Sequence, residues 1–438
     1  MTKQNVYVVG GGISGIGASY YLKQHQMVPI LIERAPVIGG RAGCEQVGDN
    51  IFEVGGKNFN LGGKLSQEIL SAHQIDEFDD QHPSFPFMVN GKMYILGKRK
   101  EIGRTLYSLI RSAGFRGCYQ FIKFMEYIGK HRHDLKYGSV LMQSIEDQYD
   151  DQPLSHHFSL PLAYGALRMF SIILCGTEPE ETYCSTLMAA LSEQQGASVS
   201  IHGGINRLFE RVLNGQEVML NTTVRKVVVK RNAVTGLVLS NNGRDHEVPA
   251  DQVVLSVPAH ALNQMFDLPP DVARDADAVR YSPLILAVAK YHENVFNNKF
   301  SSIFFDRSYH LGHVSASRAY EKNVIRYTFS GKKGRKVFQK EDHEVMDLAE
   351  RELFTTIQKV RQKPVTPNRL VYKVYRYDKG VCSYGARFSR LRRRLLDYFS
   401  SIRGLALAGD YFNGHNMEGC LSSSKAAVDH LIQQQSVM

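Results

Sequence analysis

The chain has 438 residues, 43% hydrophobic and 22% charged, with a formal net charge of +10. That length predicts two or three domains, and the composition is that of a soluble globular chain, which argues against disorder. Six scattered cysteines show no metal-ligand spacing and are too few for a disulfide framework, which predicts reduced thiols in a cytoplasmic protein.

The first predicted element is a short buried strand, "VYVV" at 6–9. It is β-branched and uncharged, as parallel strands are. The segment Gly10-Gly11-Gly12-Ile13-Ser14-Gly15 follows and fits G-x-G-x-x-G. Gly10 permits a tight turn, Gly12 lets backbone approach a pyrophosphate, and Gly15 lets helix and strand pack closely. A helix over 13–24 would aim its N-terminal N–H groups at the phosphates. The second strand, "VPILIE", ends in Glu33, 23 residues after Gly10 and close to the ~20 expected of the acid that holds a ribose hydroxyl. An acid there repels a 2′-phosphate, which argues against NADP. The glycine fingerprint starts so early that the apolar opening is expected to be a strand, not a leader to be removed. No window is apolar over the ~18 residues a spanning helix needs.

After Glu33 the chain reads "ERAPVIGGRAG", with Gly39, Gly40 and Arg41, and then "FEVGGKNF", with Gly55, Gly56 and Lys57. Here it resembles the flavin-containing amine oxidase superfamily, which includes monoamine and polyamine oxidases, protoporphyrinogen oxidase and phytoene desaturases. The resemblance implies FAD as the dinucleotide, bound non-covalently. It implies that Arg41 braces the pyrophosphate, since a guanidinium supplies paired donors to phosphate oxygens. Lys57 would stand near the flavin face, where it would steer an acidic substrate or stabilise reduced flavin. Otherwise it is an exposed loop lysine.

Further along, residues 98–136 carry ten Lys/Arg against three Asp/Glu, interleaved with Leu106, Leu109, Ile110, Phe115, Tyr119, Phe121 and Phe124. This stretch admits a solvated basic face or a peripheral membrane contact. No nucleic-acid module is visible. Helical apolar spacing marks 104–110, 120–128 and 162–174. The pairs His131/His133 and His156/His157 lack a metal-ligand pattern, so no metal site is expected.

Residues 201–213, "IHGGINRLFERVL", match the family's Gly-Gly-helix segment. A strand pair over 218–229 follows, with Val224 at the position whose backbone meets adenine by the same resemblance. Strands are expected over 283–291 and 369–377, with a helix over 345–360. Near the end, "LALAGD" (405–410) and "MEGCLSSSKAAVDHL" match the family's last FAD block. Gly409, Asp410, Met417, Glu418 and Gly419 are implied in cofactor binding, with Ile13, Ser14 and Arg34 from the first block.

The family's catalytic positions are less closely matched. The strand lysine of many amine oxidases aligns with Leu286, and an aromatic before Met-Glu-Gly is replaced by Asn416. Tyr384 or Ser383 falls where a second aromatic is found. Lys57, Asn416 and Tyr384 are the candidate catalytic residues. Cys382 lies near where some relatives attach FAD covalently, and a buried, idle thiol is expected there.

The fold expected is α/β: a Rossmann-like FAD-binding domain assembled from 1–82, 198–275 and 386–438, plus a mixed α+β substrate domain from 83–197 and 276–385. The implied activity is hydride removal from a C–N or C–C unit onto flavin N5, with O2 or another acceptor reoxidising the flavin. One alternative is a protoporphyrinogen-oxidase- or desaturase-like enzyme on a large apolar substrate at a membrane surface. Another is a non-redox isomerase or binding protein with FAD as scaffold. The partners expected are a small-molecule substrate and an electron acceptor, with oligomeric state left open.

Overall fold

The computed structural model describes residues 4–80, 85–97, 102–194, 196–296, 301–318, 321–361 and 368–436. The start of the basic stretch, 98–101, lies outside them. A five-stranded parallel sheet has the spatial order Glu217–Met219, Val28–Ile32, Asn5–Val9, Val253–Leu255, Leu405–Leu407. Its central strands are apolar along nearly their whole length because both faces are covered. Helix Ile13–Gln24 buries every residue from Ser14 to Leu22 and packs against the C-terminal helix Met417–Ser436. Gly17 makes that approach possible, since a Cβ there would press on Leu421 and Ser424. Ser424 Oγ completes the contact by donating to the Ser14 carbonyl at 2.7 Å.

Thr222–Lys230, Ala233–Asn241 and Arg244–Pro249 form a separate antiparallel sheet. Its second turn, Asn242-Gly243, has positive φ at both residues, as a type I′ hairpin requires. The 218–229 segment thus divides, its first two residues joining the parallel sheet and 222–229 this meander.

The largest sheet has seven strands, in the order Arg369–Cys382, Tyr281–Tyr291, Val324–Phe329, Leu311–Ala316, Ser302–Phe304, Phe85–Val89, Lys92–Leu96. Alternation splits the Val324–Phe329 strand cleanly. Ile325, Tyr327 and Phe329 pack into a core with residues of helix Asp342–Arg361, while Arg326 and Thr328 take the opposite face.

The remaining layer is helical. Helix Ile102–His131 contains a break at Gly114 (φ +73), so the apolar segments 104–110 and 120–128 are its two halves. The segment expected as one helix over 162–174 is instead built around two π-helical turns, Ala163–Leu167 and Ser171–Cys175. Gly165 (φ −100, ψ −106) lets the backbone leave helical geometry there. A buried, two-pronged ion pair, Arg168 to Glu178 at 2.7 and 2.8 Å, fixes this segment, and Arg168 also donates to the Phe305 carbonyl.

Candidate active site

The glycine fingerprint forms an empty-sided cradle at the end of the first strand. Gly10 has φ +106, and a Cβ on it would meet Ser256; a Cβ on Gly15 would collide with the Gly10 carbonyl oxygen. Ser256 Oγ lies 2.8 Å from the Val9 and Gly10 carbonyl oxygens and holds the turn. The second glycine pair lies alongside: Gly39 N donates to Gly11 O at 2.8 Å, and Gly12 and Gly39 form a parallel bridge. A Cβ on Gly12 would meet nothing closer than 3.9 Å. Two backbone segments thus leave room where a pyrophosphate would lie against N–H groups. Glu33, buried at the end of its strand, accepts from Gly11 N at 2.6 Å and Ala35 N at 2.8 Å. Thr222 N donates to Glu33 O at 3.0 Å, which sets the strand bearing buried Val224 beside the same end. Arg34 is exposed.

Arg41 pairs with Asp410 at 2.8 Å and lies over the Tyr281 ring at 5.3 Å. The Tyr281 hydroxyl lies 3.3 Å from Asp410 Oδ1. Arg41 is deep in the molecule, yet 32% of its side chain is open. Tyr281, Glu193, His415, His313 and Arg326 share that combination of depth and partial exposure. Open surface at that depth faces an internal hollow, and the Gly55-Gly56 segment lies beside it, bonded to Arg41 and to Arg326. Gly56 N is tied to Arg41 O at 2.9 Å. Cys382 is fully buried, and burial pushes its thiol well up, so it is a poor nucleophile.

Around Asp410 the C-terminal motif is held from several directions. Gly409 N donates to Ser423 Oγ at 3.0 Å, and the Tyr384 hydroxyl donates to Asp410 O at 2.5 Å. Tyr384 is 1% exposed, packed with Tyr137, Phe388 and His415. Asn416 caps the last helix by accepting from Gly419 N at 2.7 Å, and its amide donates to Glu193. Burial pushes the Glu193 carboxyl up to about 8; the Asn416 bond opposes the shift and Glu418 adds to it. Glu418 turns to another helix, accepting from Leu65 N at 3.0 Å, Ser66 N at 2.8 Å and Ser66 Oγ at 2.7 Å. Met417 is buried, and a Cβ on Gly56 would touch it at 3.5 Å.

Lys57 is 5% exposed. It pairs with Glu53 at 2.9 Å and donates to the Ser317 carbonyl. Burial holds its ammonium below the usual lysine range, with Glu53 opposing and Arg326 adding to the shift. Leu286 is buried in an apolar cluster with Phe52, Val288 and Val324.

Sequence spacing singled out the first glycines and Glu33, and the family resemblance Arg41, Lys57 and the C-terminal motif. It missed Ser256, Tyr281, Glu193 and Arg326, each brought to the site from a distant segment. A polar residue in an otherwise apolar strand was the one signal available, and it applies to Arg326. Among the described residues no His, Cys, Asp and Glu side chains cluster as metal ligands.

The flavin containing amine oxidoreductase family model matches residues 13–432. A probable flavin-containing monoamine oxidase A of Dictyostelium discoideum is 22% identical over 279 residues, 59% of this chain and 58% of that relative. Among solved structures, putrescine oxidase bound to putrescine aligns with a TM-score of 0.76 at 14% identity, over 98% of this chain and 99% of that one. Cyclohexylamine oxidase from Brevibacterium oxydans IH-35A aligns at 0.73 and 14% identity, over 99% and 100%. A putative protoporphyrinogen oxidase from Exiguobacterium sp. 255-15 aligns at 0.72 and 14% identity, over 100% of both chains. At such identities these likenesses show the fold. The cradle, the strand-end acid and the deep arginine fit FAD, and the family model spans nearly the whole chain. The chain belongs to the flavin-containing amine oxidoreductases and is an FAD-dependent oxidoreductase.

Proposed function

We propose that this protein oxidises a C–N or C–C unit of a small-molecule substrate, with O2 as the terminal acceptor. When bound, FAD supplies the hydride acceptor at N5. Residues 1–82, 198–275 and 386–438 would hold the cofactor, and 83–197 and 276–385 the substrate. Glu33 would take a ribose hydroxyl, and Arg41, already aimed by Asp410, the pyrophosphate. Gly10, Gly12, Ile13, Ser14, Gly15, Gly40, Gly55 and Gly56 would give backbone contacts. The capped N-terminus of helix Met417–Ser436 would stabilise negative charge on the cofactor. Tyr384 and Asn416 would act by positioning Asp410 and that helix, and Lys57 by fixing the Gly55-Gly56 segment. The observation that carries this reading is the hollow beside the glycine cradle, lined by Arg41, Tyr281, Glu193 and His415. All six cysteines are unpaired and five are buried, and a cytoplasmic location is part of this reading. The test is anaerobic mixing of the FAD-loaded protein with primary amines, cyclic amines and large conjugated substrates. Loss of the visible flavin band with one class supports oxidation. An unbleached flavin with every class defeats the reading and favours FAD as a scaffold.

One observation favours a membrane-surface version of the same activity. On helix Ile102–His131, Phe115 (80% exposed), Tyr119 (64%) and Ile122 fall at i, i+4 and i+7. Exposed Arg116, Lys123 and Lys130 form the neighbouring stripe. Exposed aromatics beside cations suit an anionic lipid interface. Among the described residues no helix is long and apolar enough to cross a membrane. Co-sedimentation with phosphatidylserine vesicles at low salt is expected; no binding there removes this version.

A further inference from the structure

The large sheet carries a polar row on the face that Arg326 and Thr328 share. Register places Ser315 beside Arg326 and His313 beside Thr328. All four are partly exposed, whereas the alternate residues Val314, Tyr327 and Phe329 are buried. On the next strand the same face carries buried Leu286 and Val288, so the polar row borders an apolar cluster and turns its partly exposed side chains away from it. His313 stacks on Phe304 at 4.3 Å, which fixes its ring.

Arg326 is the charged member. Its Nη2 donates to the Gly55 carbonyl at 2.8 Å. Its Nε is buried with no hydrogen-bond partner among the described residues. The carboxylate acting on it is Glu53, which is already paired with Lys57 at 2.9 Å. Two cations therefore share one carboxylate, in a place where burial disfavours charge. The Arg326 guanidinium is partly exposed although its Nε is closed to solvent, and no carboxylate of its own offsets its charge. A planar guanidinium matches carboxylate or phosphate oxygens with paired donors.

We propose that Arg326, with Ser315, His313 and Thr328 along the same face, forms an oxyanion subsite in the wall of the hollow, so that the substrate carries a carboxylate or phosphate group. The subsite names a substrate class for the oxidoreductase reading and rests on the hollow being the substrate site. Gly55 links the two, because its carbonyl holds Arg326 while Gly56 is bonded to the Arg41 carbonyl in the cofactor cradle. An anion on Arg326 would thus lie one backbone segment away from the cofactor.

The experiment is a titration of the oxidised FAD-loaded protein with benzoate, succinate or inorganic phosphate, in chloride at constant ionic strength. The readout is the visible flavin spectrum, with no turnover required. A saturable difference spectrum is expected with the carboxylates or with phosphate, and the effective probe tells which oxyanion the site takes. Arg326→Met, read on the FAD-loaded fraction, should raise that dissociation constant about tenfold or more. Thr328→Val removes one hydroxyl from the same face, and should raise it about threefold, a second reading if Arg326→Met does not fold. No saturable change with any of the three anions overturns the subsite, as does an affinity untouched by Arg326→Met. A protein reduced by a neutral amine yet blind to all three anions loses the subsite alone. A protein that binds anions through Arg326 yet is reduced by no substrate keeps the subsite and loses the oxidoreductase reading.

Discussion

The Glu33 carboxylate accepts the Gly11 and Ala35 N–H groups through its two oxygens at 2.6 and 2.8 Å, so it shapes the glycine loop before any cofactor arrives. Glu33→Ala leaves those donors without a protein acceptor, at a cost of about 1–3 kcal/mol. Both the melting temperature of the FAD-free protein and its bound FAD after purification should fall. Full FAD retention, measured by absorbance after denaturation, would contradict the ribose role. Glu33→Gln keeps one acceptor but turns an amide donor towards an N–H, so it should fall between. Glu33 was legible from its spacing after the glycine fingerprint, and Arg41 and Asp410 from motifs that resemble the family's. Tyr281 and Glu193 were not: their value comes from reaching Asp410 and Asn416 through space. Asn416 and Tyr384 were legible as motif positions, but their hydrogen bonds to a helix end and a backbone carbonyl were not.

At the scale of elements, Glu418 shows how one helix start supports another. It sits in the first turn of Met417–Ser436, where the helix dipole favours its charge. Its side chain crosses to the N-terminus of Lys64–Ala72, a helix whose own preceding residue, Gly63, offers no side-chain cap. Glu418→Ala should cost about 0.5–2 kcal/mol, the range for a lost N-cap. Hydrogen exchange should quicken in 64–72 first, with the parallel sheet unaffected. Unchanged protection there would mean that packing alone holds that helix. The periodic elements were readable in advance: the helix expected over 345–360 is Asp342–Arg361, and the strands near 283–291 and 369–377 are present. Residues 162–174 were not, because a π turn adds a residue per turn without breaking the apolar pattern that marks a helix. The Gly114 break also left no pattern signal, because apolar residues continue on both sides of it.

At the scale of the molecule, segments far apart in sequence meet at Glu193. Asn60 donates to its carbonyl at 3.2 Å, Asn416 donates to its carboxyl, and it follows helix Cys184–Ser192. The charged groups acting on it are Glu418, which raises its pKa, and Lys136, which lowers it, but burial is the largest cause. Its folded pKa, about 8, is above the ordinary glutamate value near 4.5. The neutral form is therefore the one the fold favours. The stabilisation is fully present below about 4.5 and is lost as pH rises through about 8, since the unfolded chain then binds fewer protons. Glu146, raised to about 7 mainly by burial, contributes over an overlapping window. Glu193→Gln keeps an oxygen for Asn416 and cannot ionise. Its melting temperature should match the unsubstituted protein near pH 5 and exceed it near pH 8.5, so the gap opens across the window where Glu193 titrates. The FAD-loaded protein should show the same opening gap if the carboxyl stays buried when the cofactor is bound. Parallel pH profiles for the two proteins would mean that Glu193 is ionised at neutral pH, with the junction of residues 60, 193 and 416 held by a charged group.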